Sequence, residues 1–250
     1  MSPAKSRSRA KKRRPMAFDD LMSVDRVSGP KVSPDGTRVA YVTTRADLDE
    51  NKMRSTVRLL DLATGDSRDL TPGPGSHSAP AWSPDGRHLA LVSDRGEDGA
   101  QVWVLPMDGG EARQVTCGKG GAGTPVWSPD GTRIAFSRSV KVSPHLKGAQ
   151  ADPSHQEVYG LPNDKSKARV ETSLLFRHWD HWREMGRSHV FIVDLASGDM
   201  EDVTPGDADV PPISLGGAQD FVLSPRGDEI AYVKNPDRVV ARSTNNSVFV

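Results

Sequence analysis

Cysteine is nearly absent from this 250-residue chain. Cys117 stands alone, so no internal disulfide can form and nothing requires an oxidising compartment. Its setting predicts a small, half-buried residue at a strand end rather than a reactive thiol. Long apolar runs are missing as well. None approaches the roughly 18 residues that a membrane helix needs, which predicts a soluble chain without a membrane partner. Net charge is lacking too, since 33 Lys and Arg balance 33 Asp and Glu. Seven of those bases lie between Lys5 and Arg14, leaving 26 basic against 33 acidic residues downstream, a net charge near −7. A mildly acidic body is a poor nucleic-acid surface. An apolar content of 35% is low for a compact α/β enzyme and favours many short strands over a few long helices.

Residues 1–15 combine this basic tract with Ser, Ala and Pro, a composition that cannot bury enough surface to order itself, and they are read as a disordered tail. Arg13-Arg14 has the look of a twin-arginine export signal. The segment that follows, Met16-Ala-Phe-Asp-Asp20, is acidic where such a signal needs an apolar stretch. The expected compartment is therefore the cytoplasm.

What the sequence does contain is a repeat. Val32-Ser-Pro-Asp-Gly-Thr-Arg-Val-Ala-Tyr41 aligns without gaps with segments beginning at Trp82, Trp127 and Leu223. Ser opens a turn, Pro presets φ at its second position, Asp suits the third, and Gly supplies a left-handed residue before the next strand. Four hairpin corners are predicted, near 33–36, 83–86, 128–131 and 224–227. Ala in the middle of each following apolar triplet lets neighbouring sheets approach closely. Between corners, Asp61-Leu-Ala-Thr-Gly65, Pro106-Met-Asp-Gly-Gly110 and Asp194-Leu-Ala-Ser-Gly198 mark a second set of hairpins, each leading to an apolar-Thr pair. Four short strands per repeat make a propeller blade.

Residues 16–250 are thus expected to form an all-β, incomplete β-propeller of about three and a half to four four-stranded antiparallel blades. Its third blade carries an insertion over about 141–187, and the corresponding loop of the first blade, about Thr43 to Thr56, is of moderate length. Residues 246–250 read as an outer strand without its successor. Fewer blades than closure requires predicts a body that is open, aggregation-prone or part of something longer, with self-association through open blade edges as one outcome.

The corners and their apolar-Ala-apolar strands resemble the TolB-type propeller repeat. Leu174-Leu-Phe-Arg-His-Trp-Asp-His-Trp182, followed by Gly186-Arg-Ser-His-Val-Phe191 and supported by Ala241-Arg-Ser-Thr-Asn-Asn246, is similar to the N-terminal propeller of prolyl-oligopeptidase-family serine peptidases, in the dipeptidyl-peptidase and acylaminoacyl-peptidase branch. The resemblance implies a C-terminal α/β-hydrolase domain as partner, peptides as substrate, and a propeller that controls substrate access and selection. The family's serine lies in a Gly-x-Ser-x-Gly elbow. Here the nearest approach, Gly186-Arg-Ser188-His-Val190, lacks the final glycine and falls at a hairpin. No triad residue is assigned, the hydrolase domain is absent from these residues, and the chain alone is expected to be inactive.

No cofactor is expected. Gly118-Lys-Gly120-Gly-Ala-Gly123 has a dinucleotide-loop pattern but runs into Thr124-Pro125 and a strand, not a helix that could receive phosphate. No metal is expected at His178 and His181, because three-residue spacing along an extended strand points them to opposite faces. Asp35, Asp85 and Asp130 are read as turn formers. The candidate substrate-contact residues are Arg177, His178, Trp179, Asp180, Trp182, Arg183 and Glu184, charge and aromatic surface near one rim or the central tunnel. The competing reading buries Trp179 and Trp182 against adjacent blades with Asp180 paired to an arginine. A third makes Leu175, Trp179 and Trp182 one face of a short amphipathic helix.

Overall fold

A computed structural model describes residues 14–142, 174, 176–182, 186–213, 217, 219–237 and 239–250. The basic tail up to residue 13 and most of the 141–187 insertion lie outside the described residues, so the readings made of them are not addressed. Arg14, the last base of that tract, forms a two-pronged ion pair with Asp20 of a short helix, α1 (Phe18–Met22), at 2.5 and 2.6 Å.

Everything after α1 is built from small antiparallel sheets. The first holds β1 (Arg26–Val32), β2 (Arg38–Asp47), β3 (Lys52–Asp61) and β4 (Ser67–Asp69) in chain order. The second holds β5 (His77–Trp82), β6 (His88–Ser93), β7 (Gln101–Pro106) and β8 (Arg113–Gln114). In the third, β9 (Gly123–Trp127) pairs with β10 (Arg133–Lys141). A separate two-stranded hairpin, β11 (Arg177–His178) and β12 (His181–Trp182), comes before β13 (Gly186–Asp194) and β14 (Met200–Asp202) complete that sheet. The fourth has β15 (Phe221–Leu223), β16 (Ile230–Lys234) and β17 (Ser247–Phe249). Three four-stranded blades and one three-stranded blade match the expected architecture, and the insertion leaves and rejoins one continuous β10–β13 ladder running from Arg133↔Asp194 to Lys141↔Gly186. The first blade differs from expectation. Residues 43–56 are not a loop, because β2 and β3 stay paired as far as Asp47↔Lys52 and leave only residues 48–51 to turn.

The corners explain why the strands start where they do. In the first, the Gly36 N–H donates to the Ser33 carbonyl at 2.8 Å, and Gly36 takes φ +72°. The Ser33 hydroxyl donates to Asp35 at 2.5 Å and accepts the Arg38 N–H at 3.0 Å, sealing the turn at the first pair of the hairpin. Ser83 and Ser128 repeat the arrangement with Asp85 and Asp130. A left-handed φ is one that glycine adopts without steric cost, so the fixed glycine is a backbone requirement.

The apolar-Thr pairs have an equally specific role. The hydroxyls of Thr71, Thr116 and Thr204 accept the N–H groups of Val57, Val102 and Val190 at 3.0, 2.9 and 2.9 Å. Each pair straddles the outer hairpin of its blade and satisfies a buried donor that the short fourth strand does not reach.

Hydrophobic cores lie between blades. Each blade presents small residues on a trailing face and bulky ones on a leading face. Ala40, Val42 and Val57 of the first blade meet Leu89, Leu91, Trp82 and Trp103 of the second. Ala90, Val102 and Val104 meet Ile134, Phe136 and Trp127 of the third. Ala135 and Val190 meet Phe221, Leu223, Ile230 and Tyr232 of the fourth. The repeated alanine is wholly buried at positions 40, 90 and 135, where close approach of sheets demands a small side chain.

Candidate functional site on the loop end of the blades

In an antiparallel four-stranded sheet, the first-to-second and third-to-fourth connections share one end, and the second-to-third and blade-to-blade connections share the other. The Ser-Pro-Asp/Arg-Gly corners and outer hairpins therefore occupy one end of this molecule. The insertion, residues 94–100 and the segments leading from each blade to the next occupy the opposite end, where sequence length varies and function concentrates.

The exposed hairpin β11–β12 belongs to that loop end. Arg177 pairs with Trp182, and His178 with His181. This overturns two expectations. The segment is a tight turn rather than a continuous extended strand, so the three-residue spacing makes His178 and His181 a register pair across it. It is also no amphipathic helix, and Leu175 lies outside the described residues. Among the described residues no cluster of three or more His, Cys, Asp or Glu has metal-site geometry.

The tryptophans are not buried against neighbouring blades. Trp179 is 83% exposed and Trp182 is 51% exposed. Trp182 packs on Phe176 with ring centroids 6.2 Å apart, and Trp179 meets His178 edge-on at 6.4 Å. Trp179 sits at the turn with φ +52°, a conformation that costs a bulky side chain about 1–2 kcal/mol. Leu174 and Phe176 are exposed beside it. Aromatic surface in water, carried on a turn and flanked by Arg177 and Asp180, is suited to contacting an apolar or charged peptide. Arg183 and Glu184 lie outside the described residues.

The base of the insertion is fastened to the segment joining the third and fourth blades. Arg187 forms an ion pair with Asp207 at 2.7 Å, the Ser188 N–H donates to Asp209 at 3.0 Å, and the Val210 N–H donates to the Ser188 carbonyl at 2.6 Å. His189, fully buried, lies 2.7 Å from the Asp202 carboxylate through Nδ1 and 2.9 Å from the Gly206 carbonyl through Nε2. These contacts fix the exit of the hairpin-bearing segment relative to the blades.

Three further polar groups at this end carry no sequence motif. Arg138 donates from Nη2 to the Cys117 carbonyl at 2.8 Å and from Nε to the Gly121 carbonyl at 3.1 Å, with its guanidinium over the rings of Phe136 and Phe191. Burial pushes the Arg138 guanidinium pKa down. The Cys117 and Gly121 carbonyls thus meet a cation, the reverse of a phosphate loop, and the glycine-rich segment passes directly into β9 as expected. Cys117, expected to be half-buried, is exposed, because only its carbonyl is used in holding Arg138. Arg95 stacks 3.8 Å from the centroid of Trp103, while buried His77 has neither ring nitrogen hydrogen-bonded and a pKa lowered first by burial and then by Arg95. Arg138 could have been suspected from its place two residues beyond Phe136 on a predicted strand; His77 and the Arg95–Trp103 stack depend on contacts between distant segments.

Comparison with known proteins agrees with this geometry. Residues 21–215 match the family model described as the TolB beta propeller domain. The dipeptidyl-peptidase 5 of Porphyromonas gingivalis is 30% identical over 238 residues, covering 92% of this chain and 33% of that protein. The chain therefore spans about a third of the length of this relative. Among solved structures, the acylaminoacyl peptidase of Pyrococcus horikoshii superposes with a TM-score of 0.57 at 19% identity, over 86% of this chain and 29% of that one. TolB of Acinetobacter baumannii gives a TM-score of 0.52 at 18% identity, over 90% of this chain and 40% of that one. At those identities the superpositions establish the fold alone. Corners, blades and matched residues together show that this chain belongs to the TolB β-propeller domain family.

Proposed function

We propose that this chain is the propeller part of a serine peptidase of the dipeptidyl- or acylaminoacyl-peptidase type, controlling which peptides reach a C-terminal α/β-hydrolase domain and helping to select them. The observation that carries this reading is the 30% identity to a dipeptidyl-peptidase 5 along nearly the whole chain. The exposed aromatic hairpin at the loop end supports it. Trp179 and Trp182 would stack on peptide side chains, with Arg177 and Asp180 contacting the peptide's charged groups; Arg183 and Glu184 are assigned to the same surface from the sequence. The exposed thiol of Cys117 suits a reducing, cytoplasmic compartment.

Titration of the purified chain with short peptides, followed by tryptophan fluorescence, tests this reading. Quenching that disappears in Trp179→Ala is expected, together with no hydrolysis of dipeptidyl or acylaminoacyl chromogenic substrates. Turnover by this chain alone, inhibited by a serine-directed reagent, would contradict the assignment of chemistry to another domain. A second reading, a TolB-like module that recruits a folded protein across its loop end, is favoured by the matched family model. It prevails if short peptides produce no quenching while a folded partner binds and protects the hairpin.

A further inference from the structure

Buried His189 of β13 has an oxygen at each ring nitrogen, Asp202 Oδ2 at 2.7 Å from Nδ1 and the Gly206 carbonyl at 2.9 Å from Nε2. A backbone carbonyl can only accept, so the bond to Gly206 needs a hydrogen on Nε2. The bond between Nδ1 and Oδ2 needs a second hydrogen, carried either by the ring or by the carboxyl. The other carboxyl oxygen, Oδ1, is already engaged, accepting the Thr204 N–H at 3.1 Å. A neutral imidazole beside an ionised carboxylate has only one hydrogen for the two bonds. Whichever tautomer it adopts, one bond fails and a buried group is left without its partner. The count is the same for an imidazolium beside a carboxylate and for a neutral ring beside a protonated acid: both bonds stand only when the pair holds one extra proton.

The second blade builds the same joint without a titrating group. Val102 and Val190 are equivalent, each donating its N–H to the hydroxyl of the threonine that follows the outer hairpin, Thr116 or Thr204, at 2.9 Å. The residue before Val102 is Gln101, wholly buried, whose Nε2 donates to the Gly118 carbonyl at 2.9 Å and whose Oε1 accepts the Thr116 hydroxyl at 2.7 Å. Gly118 and Gly206 each stand two residues beyond their threonine, at φ +97° and +135°. An amide makes both bonds at any pH. The third blade has put an imidazole and a carboxylate in its place.

Gly206 belongs to the segment that leads from β14 to the fourth blade, and the same segment is tied to β13 by Arg187 with Asp207, by the Ser188 N–H to Asp209 and by the Val210 N–H to the Ser188 carbonyl. The other charged groups around the joint are engaged elsewhere. Arg138, the register partner of His189, donates to the Cys117 and Gly121 carbonyls, Lys234 of β16 lies over the Phe249 ring at 4.6 Å, and Asp220 accepts the Gly217 N–H at 2.6 Å. We propose that His189 and Asp202 form a proton-operated clasp between β13 and residues 204–210. With the extra proton bound, both bonds hold; when it leaves, one opens and the segment leading to the fourth blade loosens. A proton held by the clasp but not by the separated side chains supports the closed joint on the acid side of the clasp's titration, and that support is withdrawn as pH rises through it.

Amide exchange of the full chain, followed by NMR from about pH 5 to about pH 8 and expressed relative to the intrinsic rate at each pH, tests the clasp. Protection of the Val190 and Val210 amides should fall by at least about tenfold as pH rises, while Val102, in the joint closed by Gln101, keeps its protection. Asp202→Asn supplies an amide that can donate to Nδ1 while its oxygen still accepts from Thr204, so a neutral imidazole keeps both bonds and protection should become flat with pH. His189→Gln gives β13 the side chain that β7 uses and should flatten it as well, which keeps the test decisive if the asparagine variant folds poorly. Protection of Val190 that follows Val102 across the whole range, a loss on the acid side instead, or a pH dependence that survives in both variants would each overturn the proposal.

Discussion

The hydroxyl of Ser224 donates to Asp228 at 2.8 Å, whereas the corresponding serines of the other three corners reach the aspartate two residues on, at 2.5 to 2.6 Å. The fourth corner has Arg226 in the aspartate position, and the carboxylate has moved to the residue after the glycine. The turn needs an acceptor for the serine hydroxyl, and two places in the loop can supply it. Asp228→Ala should lower stability by about 1 kcal/mol. Adding Arg226→Asp should restore most of the loss, and thermal melting of the single and double variants decides whether the two positions are interchangeable.

Acid stability follows from the same corners. The Ser33 and Ser128 hydroxyls, followed by the N–H groups of Thr37 and Thr132, hold Asp35 and Asp130 at pKa values of about 2. A carboxyl depressed in the folded state contributes stability that is complete above its unfolded pKa, near 3.9, and is lost as pH falls through the folded value. Melting temperature should therefore decline between about pH 4 and pH 2, and Asp35→Asn with Asp130→Asn should flatten that decline. An unchanged acid limb in the double variant would locate the acid sensitivity elsewhere.

Blade stacking is stitched by indole donors. Trp82 Nε1 donates to the Lys31 carbonyl and Trp127 Nε1 to the Ala81 carbonyl, both at 2.9 Å. Trp127→Phe keeps most of the bulk and removes the donor, so it should cost about 1–2 kcal/mol in urea denaturation, with the slope unchanged. Leu223 occupies the same position in the fourth blade and has no such donor, so Leu223→Phe should show no comparable hydrogen-bond loss.

The glycine-rich segment beside Arg138 predicts a contrast between two glycines. A Cβ on Gly120 would lie 2.0 Å from the Ser139 carbonyl oxygen at φ +92°, while one on Gly118, at φ +97°, meets nothing within 4 Å. Gly120→Ala should destabilise by roughly 3 kcal/mol or more, and Gly118→Ala by about 1–2 kcal/mol from backbone strain alone. Equal losses would mean that crowding against β10 contributes nothing.

Exposure makes a different claim for the hairpin. Trp179→Ala should change the melting temperature little, with an effect within about 0.5 kcal/mol, because the ring is largely in water. A large loss of stability would instead assign Trp179 a packing role and remove the basis for treating it as a peptide contact.

The blade plan was legible because its signals are local. Ser-Pro-Asp-Gly dictates a turn wherever it occurs, and the apolar-Ala-apolar triplets after it pair with the strand before it. The first blade departs from expectation between residues 43 and 56, where Thr44, Arg45 and Ala46 show no apolar alternation and the strands nevertheless stay paired. Polar strands at a blade's end are held by ladder hydrogen bonds and by side-chain pairs such as Thr44–Ser55 at 2.7 Å, which leave no hydrophobic period. The site was less legible. Arg177–Trp182 stands out by composition, but two tryptophans within four residues ordinarily signal burial, and only the tertiary structure shows that they face water. Arg138 and the carbonyls that hold it carry no joint sequence signal, because the glycine pattern beside them imitates another loop.

By itself the sequence determined the corners, the strand pairs within each blade and the order of the blades, since a turn and its two flanking strands interact over a few residues and need no distant partner. Tertiary structure alone decided which indole meets which carbonyl, that the Cys117 and Gly121 carbonyls meet Arg138, and that Trp179 is exposed. Those outcomes depend on how one sheet lies against the next, and that arrangement is set by the fit of small trailing faces to bulky leading ones across dozens of residues of chain.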